Sequence, residues 1–370
     1  TGFVEALSWL ADQLALRGPG FLVSAFLICS VVSLSTGSSF ATILICGPIL
    51  YPAGGILGAD LATLAGAILA GATLGDFAAP ISDTTIASTL SQKAEIGATV
   101  KSRLKYILPV AGLALIAYYF TALLRNSDQQ VTQNIIESSP SGLVMLLVPI
   151  FIIYLFLKGR HLLHGLMFGL IAGIIIGLLF GLLQPQELLS LDLENFTAKS
   201  IVIDGINRAV GISIFTILLM GLVATLQASG IVDLLVRNAS KRISGTKDAE
   251  AWISGTTAGA VLLTTHSIVA ILTVKEFVQK TGDKMDISPI RRANLMSMVV
   301  CLFPFILPYF IPVILMSNTT LSGEELGIAS VSPLQVGLFN FVAWGLGAMV
   351  VLAVFTGYGQ KGDSASQLND

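Results

Sequence analysis

Long apolar stretches alternate with short polar segments along almost the whole chain. A helix needs about 20 apolar residues to cross roughly 30 Å of hydrocarbon. Stretches that approach or reach this length occur at 104–124, 143–157, 162–183, 210–228, 293–316 and 334–355. Because they are continuous and do not alternate with polar positions, they favour helices over the strands of a barrel. The pattern predicts an all-α polytopic membrane protein.

The apolar and polar elements recur in the same order at an interval of 228 or 229 residues. Identity between the copies is low, so the shared order and spacing carry the signal. The matched pairs are 1–5 with 229–233, the segment from Ser35 with the segment from Thr264, Pro80 with Pro308, and the stretch from Lys105 with the stretch from Leu334. The chain is therefore predicted to contain an internal repeat.

Loop charges orient the two copies, because short cytoplasmic loops carry an excess of Lys and Arg. We assign Arg103 to one such loop, and Arg291 and Arg292 to the cytoplasmic interface. Equivalent elements of the two copies then run in opposite directions. Basic residues flank both ends of 251–274, which favours a re-entrant hairpin over a crossing helix. Inverted repeats with broken helices are a recurring plan of secondary transporters.

The predicted organisation is an inverted-repeat secondary transporter with two re-entrant hairpins and two broken transmembrane helices. The first repeat, 1–125, has a hairpin at 21–50, a broken helix at 60–92 and a helix at 105–124, and its upstream helices are expected to precede this sequence. An external linker occupies 126–142. The second repeat, 143–370, has scaffold helices at 143–228, a hairpin at 251–274, a broken helix at 293–317 and a helix at 334–356.

Composition agrees with a multi-pass protein of the lipid bilayer, for which we expect a bacterial-type inner membrane. Hydrophobic residues make up 54% of the chain and charged residues 11%, and the mean hydropathy is +0.84. A net charge of −2 without a basic tract gives no sign of nucleic-acid binding. The sequence has no nucleophile–base set, P-loop or metal-ligand spacing, so we do not predict an enzyme.

An acid pair, Asp76 and Asp83, lies inside a membrane-length apolar stretch. A charged side chain near the bilayer centre costs roughly 2.5–3.5 kcal/mol on insertion scales, so such residues usually face a cavity on an ion or proton path. Pro80 lies between the two acids and should break the helix there, because it lacks a backbone donor and clashes with the preceding turn. The break should free carbonyl oxygens beside the carboxylates.

These carboxylates and carbonyls, with the hydroxyls of Ser82, Thr84 and Thr85, form an all-oxygen set that suits a hard cation such as Na⁺. Burial disfavours the charged form of a carboxylate, which would let the acids exchange protons near neutral pH. Na⁺ and H⁺ competing for Asp76 and Asp83 would be the simplest antiporter. The alternative is that the acids cap the half-helix after Pro80, and both roles can coexist.

The tips of the two hairpins are polar and could complete the site. Their hydroxyls could equally form ordinary hydrogen bonds between membrane helices, and the histidine could relay a proton or satisfy a packed polar tip. The candidate residues are Ser35, Thr36 and Ser38 in the first tip, and Thr264, Thr265, His266 and Ser267 in the second.

The run G-D-F-A-A-P-I-S-D-T-T at 75–85 resembles the signature of NhaC-type Na⁺/H⁺ antiporters, which reads approximately G-D-K-x-S-P-L-S-D-T-T. The run L-S-T-G-S-S-F-A-T at 34–42 is similar to the T-G-T-S-type segment of that family. The resemblance implies paired hairpins and unwound helices, a homodimer, and cation/proton antiport with Na⁺ and H⁺ as transported or coupling ions and no cofactor. Relatives also carry organic acids or amino acids. The second functional hypothesis is therefore a Na⁺- or H⁺-coupled carrier of a small organic acid or amino acid.

Overall fold

The computed structural model describes residues 19–125, 140–157, 162–188, 190–192, 197–199, scattered positions between 210 and 230, and 243–360. The described chain is almost entirely helical, in agreement with the predicted all-α class. Its one sheet is a pair of antiparallel three-residue strands, β1 (Ser190–Asp192) and β2 (Thr197–Lys199). The predicted copies at 1–5 and 231–233 and most of the predicted linker at 126–142 lie outside the described residues, as does most of 201–228.

The first part of the fold is a helical hairpin, a broken helix and a long helix. The hairpin is α1 (Pro19–Thr36) and α2 (Ser39–Ile56). The broken helix is α3 (Leu61–Ala78) followed by α4 (Asp83–Ser91). The long helix is α5 (Ile96–Leu124).

The second part repeats this order after two apolar helices, α6 (Leu147–Leu157) and α7 (Leu162–Leu179), and the short α8 (Pro185–Leu188). The second hairpin is α9 (Thr246–Thr264) and α10 (Ser267–Lys284). A second broken helix follows as α11 (Pro289–Val300) and α12 (Ile311–Thr319). The last helices are α13 (Pro333–Leu338) and α14 (Phe341–Thr356), and 3₁₀ turns lie at Pro140–Leu146, Phe303–Phe305 and Thr320–Leu326.

Helix boundaries in the two parts recur at one interval. The hairpin turns into its second helix at Ser39 and again at Ser267, a difference of 267 − 39 = 228 residues. The half-helices after the breaks begin at Asp83 and Ile311, and 311 − 83 is also 228. The hairpin turns and the starts of the half-helices after the breaks therefore recur at the same interval in the two parts of the chain.

Three helices among the described residues are long and apolar enough to cross a membrane by length and composition: Ser39–Ile56, Leu61–Ser91 and Ile96–Leu124. The middle one is the α3–α4 pair, which is largely buried in the protein. In contrast, α5 exposes large apolar side chains along its length, such as Leu108, Leu113 and Leu124. This division is expected when one helix is enclosed by its neighbours and another faces lipid.

Small residues allow α3 to pack closely against its neighbours. A Cβ placed on Gly75 would lie 1.9 Å from Ser33 Oγ of α1, and one placed on Gly66 would lie 2.5 Å from the Phe339 carbonyl oxygen. Close backbone approach through glycine is a common way to pack membrane helices. This contact places the first hairpin directly on the first broken helix.

Two predicted boundaries were wrong. The helix predicted at 105–124 begins at Ile96, where the Glu95 side chain accepts hydrogen bonds from the first turn. The helix predicted at 334–356 is interrupted between α13 and α14, where the buried Asn340 caps α14 and donates to the Phe305 carbonyl at 3.0 Å. The side chain of Asn340 explains this interruption, because it bonds to backbone groups that lack a helical partner there.

The interfacial placement of Arg291 and Arg292 was also wrong. Arg291 has 1% of its side chain exposed and pairs with Glu250 at 2.8 Å, inside the contact between α11 and α9. Arg292 is 5% exposed and contacts Asp283 at 2.9 Å. Lys and Arg counts report topology only when the side chains reach solvent, and these two side chains are buried against partners of the protein.

Candidate functional site

The break in the first broken helix lies where the sequence predicted it, at Pro80. The backbone of Ala79 and of Ser82 is extended, and α4 restarts at Asp83. Two of the carbonyls that the break releases are already hydrogen-bonded. The Asp76 carbonyl accepts from Thr84 Oγ1 at 2.7 Å, and the Phe77 carbonyl accepts from Arg103 Nη1 at 2.7 Å. Side-chain oxygens are therefore better placed than these carbonyls to meet a ligand in the cavity.

Asp76 joins the broken helix to the first hairpin. Its carboxylate accepts from the Ser39 backbone N–H at 3.1 Å and from Ser39 Oγ at 2.7 Å. Ser39 is the first residue of α2, so the carboxylate neutralises a helix N-terminus as well as facing the cavity. The sequence pointed to Ser35, Thr36 and Ser38 in this tip and did not select Ser39.

Asp83 lies in the first turn of α4, and its side chain is exposed. The N-cap of this helix is Ser82, whose side chain makes no capping hydrogen bond. The Ser82 and Thr84 hydroxyl oxygens lie 3.0 Å apart. The alternative that the acids cap a helix therefore fits Asp76 and not Asp83. The helix whose N-terminus Asp76 binds is α2 of the hairpin, not the half-helix after Pro80. Among the residues that the structure describes, none binds the Asp83 carboxylate, which lines the cavity where a ligand would lie.

The first hairpin tip turns at Gly37, whose φ of +64° is left-handed. A Cβ here would lie 2.5 Å from Ile81 Cγ1, so glycine lets the tip rest against the break. Ser38 is the N-cap of α2 and accepts from the Ala41 N–H. Ser35 and Thr36 lie in the last turn of α1, where Thr36 Oγ1 donates to the Val32 carbonyl at 2.9 Å.

The second tip has the same form. Thr265 is left-handed with a φ of +51°, and 265 − 37 is again 228. Ser267 Oγ donates to the Val300 carbonyl at the end of α11, 3.1 Å away. The buried Thr264 donates to the His266 carbonyl at 3.3 Å. The Nδ1 atom of His266 is buried and has no hydrogen-bond partner among the residues that the structure describes.

A cavity of about 170 Å³ lies where both hairpin tips and both helix breaks meet. It could hold a few water molecules or a partly hydrated ion, since a water occupies about 30 Å³ in the liquid. The lining residues are Gly37, Ser38, Phe40, Asp76, Asp83, Thr84, Thr265, His266, Ser267, Ile268, Pro304, Phe305, Ile311 and Pro312. Four helices, α2, α4, α10 and α12, begin at this cavity.

The cavity brings together seven of the predicted site residues. They are Asp76, Asp83, Thr84, Ser38, Thr265, His266 and Ser267. The other five, Ser35, Thr36, Ser82, Thr85 and Thr264, do not line it. Thr85 faces away from it and accepts from Arg103 Nη1 at 2.6 Å.

The predicted placement of Arg103 was also wrong. It was assigned to a cytoplasmic loop, whereas it lies inside α5 with no exposed surface and contacts the backbone of the break. The signal that could have found it is the absence of a helix-breaking residue between Gly97 and Pro109. Without such a break, α5 extends back past Arg103 and carries it into the protein.

Comparisons with known proteins match this part of the chain. Residues 3–123 match the model of the Na⁺/H⁺ antiporter family. Over 104 residues the chain is 36% identical to the Malate-2H(+)/Na(+)-lactate antiporter of Bacillus subtilis (strain 168), covering 28% of this chain and 21% of that protein.

Two further relatives are named Na(+)/H(+) antiporter NhaC. The protein from Alkalihalophilus pseudofirmus is 49% identical over 65 residues, which are 18% of this chain and 14% of that protein. The protein from Bacillus subtilis is 28% identical over 114 residues, which are 31% of this chain and 25% of that protein. Each alignment thus spans a quarter or less of the relative's length. The resemblance to NhaC-type antiporters is confirmed over the region that holds α1 to α5.

Proposed function

We propose that this protein is a secondary active transporter that exchanges Na⁺ for H⁺ by alternating access. The cation and the proton compete for Asp76 and Asp83. The observation that carries the proposal is the position of both acids in one cavity, at a helix break within the region similar to Na⁺/H⁺ antiporters. That similarity also favours a transporter over an enzyme.

The side chains of the cavity suit both ions. Asp76, Asp83, Ser38 and Thr84 supply oxygen ligands of the kind that hard cations prefer. The same carboxylates can hold protons, and each proton bound removes one of the negative charges that attract Na⁺. Because only one kind of ion can occupy the acids at a time, uptake of one is coupled to release of the other. Na⁺ and H⁺ are then cargo, and no resident cofactor is required.

The architecture we propose around this site is a pair of inverted repeats with re-entrant hairpins. The common interval of 228 residues between hairpin turns and between half-helix starts supports the repeat. The proposed boundaries remain 1–125 for the first repeat, 126–142 for the linker and 143–370 for the second. We further propose a homodimer in a bacterial-type inner membrane, with the exposed apolar side chains of α5 facing lipid.

A second candidate function is coupled transport of a small organic acid. It is favoured by the four helix N-termini at the cavity, since a helix N-terminus attracts negative charge through its dipole and its uncapped N–H groups. At α2, Ser38 and Asp76 already accept from two of these N–H groups. The name of the relative from Bacillus subtilis, a Malate-2H(+)/Na(+)-lactate antiporter, fits this chemistry. A carboxylate would bind between the two hairpin tips.

The test is flux in proteoliposomes that contain the full-length chain. If the first function is correct, added Na⁺ collapses a preset pH gradient and Asp83→Asn abolishes the effect. Asp60→Asn is the matched control, because Asp60 caps α3 and contacts Arg125 at 3.5 Å outside the cavity. The control should transport like the wild type. A gradient that Na⁺ leaves unchanged, together with uptake of labelled malate, would replace the first function by the second.

A further inference from the structure

Arg103 uses its whole hydrogen-bonding capacity inside the protein. A guanidinium has five N–H donors, and five oxygen atoms surround this one. The Nε donates to Asn294 Oδ1 at 3.1 Å, Nη1 to the Phe77 carbonyl at 2.7 Å and to Thr85 Oγ1 at 2.6 Å, and Nη2 to Ser88 Oγ at 3.0 Å and to Ser297 Oγ at 2.6 Å. The guanidinium also lies over the Phe77 ring, 5.2 Å from its centroid.

All five acceptors are neutral. Buried charges are normally paired with an opposite charge, because removing an ion from water is costly. A second fully buried arginine, Arg291, follows that rule through its pair with Glu250. Among the residues that the structure describes, hydroxyl, amide and carbonyl oxygens alone hold Arg103, which suggests that its position is set by something other than stability alone.

The five contacts join the two broken helices to each other. Phe77 lies in the last turn of the first half of one broken helix. Thr85 and Ser88 lie in its second half, and Asn294 and Ser297 lie in α11. Ser297 Oγ and Ser88 Oγ are themselves 2.7 Å apart. A single side chain of α5 therefore fixes both sides of the Pro80 break against the second broken helix.

The contacts are adjacent in sequence to the acid site. Phe77 follows Asp76, and Thr85 follows Thr84, whose hydroxyl holds the Asp76 carbonyl. A shift of the guanidinium would move Phe77 and Thr85. Their neighbours Asp76 and Thr84, whose oxygens line the cavity, would then move as well. The side chain does not line the cavity, so its effect on a ligand would pass through these neighbours.

We propose that Arg103 is a positioning residue of the transport site, whose five-donor guanidinium holds the break of the first broken helix against the second in the geometry that binds the cation. The inference rests on the proposed function. Lysine would keep the charge but has three donors and no planar fork, so it cannot make these five bonds.

The experiment compares Arg103→Lys and Arg103→Gln with Arg291→Lys in the same proteoliposome flux assay. For each variant, the apparent KM for Na⁺ and the Vmax per folded molecule are measured. Both Arg103 variants should raise the KM, roughly 10- to 100-fold as for loss of residues that orient metal ligands. Arg291→Lys should lower the yield of folded protein and leave the KM unchanged. A wild-type KM in Arg103→Lys, or an equal rise in Arg291→Lys, would overturn the proposal.

Ser297→Ala provides a milder variant in case the Arg103 variants do not fold. It removes one acceptor and keeps the guanidinium, so the KM should rise several-fold, and an unchanged KM would count against the proposal. Transport by the wild type distinguishes a failure of the proposed function from a failure of the role proposed for Arg103. If it transports malate and not Na⁺, the same comparison is made on the KM for malate. If it transports neither, the proposed function is wrong and the role of Arg103 is wrong with it.

Discussion

The two acids of the cavity should differ in their effect on stability although the proposed function requires both for transport. In Asp76→Asn, the carboxylate that accepts two hydrogen bonds from Ser39 becomes a neutral amide with one acceptor oxygen. A hydrogen bond to a charged group contributes about 1.5–3 kcal/mol and a neutral one about 0.5–1.5 kcal/mol. For two bonds the expected loss in the free energy of unfolding is about 2–3 kcal/mol. Asp83→Asn should lose less than about 1 kcal/mol, since its side chain is exposed in the first turn of α4.

The assay is denaturant-induced unfolding in detergent micelles, with Na⁺-driven flux measured on the same preparations. A double-mutant cycle with Ser39→Ala isolates the contact, because it compares the loss from Asp76→Asn with and without the partner. We expect a coupling energy of about 1–2 kcal/mol for the Asp76–Ser39 pair. Equal stability of the two Asn variants, or a coupling energy near zero, would refute the assignment of Asp76 as the residue that links the hairpin to the broken helix.

Two further substitutions test packing and burial. Gly75→Ala should destabilise the protein by about 1–3 kcal/mol, because its Cβ would lie 1.9 Å from Ser33 Oγ. Gly112→Ala, where nothing lies within 4 Å, is the control and should be neutral or slightly stabilising; the same loss in both variants would contradict the close contact of α3 with α1. Glu250→Gln should cost about 3–5 kcal/mol in unfolding free energy, because it leaves the buried Arg291 charge unpaired. A stability within about 0.5 kcal/mol of the wild type would show that Glu250 and Arg291 are not paired in the bilayer.

The breaks and tips were predictable because their chemistry is local. Pro80 cannot donate a backbone hydrogen bond, so an apolar run that contains it ends one helix and begins another. The tips at Gly37 and Thr265 are polar positions within apolar sequence, and each turns the chain through a left-handed residue. The cavity then follows, because polar groups at membrane depth must face each other or water.

The buried arginines were not predictable from charge counts. Counting Lys and Arg assumes that each one reaches solvent, whereas Arg103 and Arg291 are enclosed by partners from distant parts of the sequence. Ser39, and not Ser35 or Thr36, binds Asp76 because of where α1 ends within the tip. A shift of a few residues there changes which hydroxyl meets Asp76, and the hydrophobic pattern does not define a helix end that closely.

The asymmetry between the two halves suggests how one cavity can suit both a cation and an anion. Helices α2, α4, α10 and α12 all begin there, and each N-terminus carries roughly half a positive charge. Among the described residues that line the cavity, both carboxylates, Asp76 and Asp83, come from the first half, and they offset that charge when they are ionised. With ionised acids the cavity suits Na⁺, and with protonated acids the four N-termini favour a carboxylate. Flux measured across pH tests this reasoning, because Na⁺ affinity should fall and uptake of labelled malate should rise as the pH is lowered, and two affinities that move together would exclude a shared site.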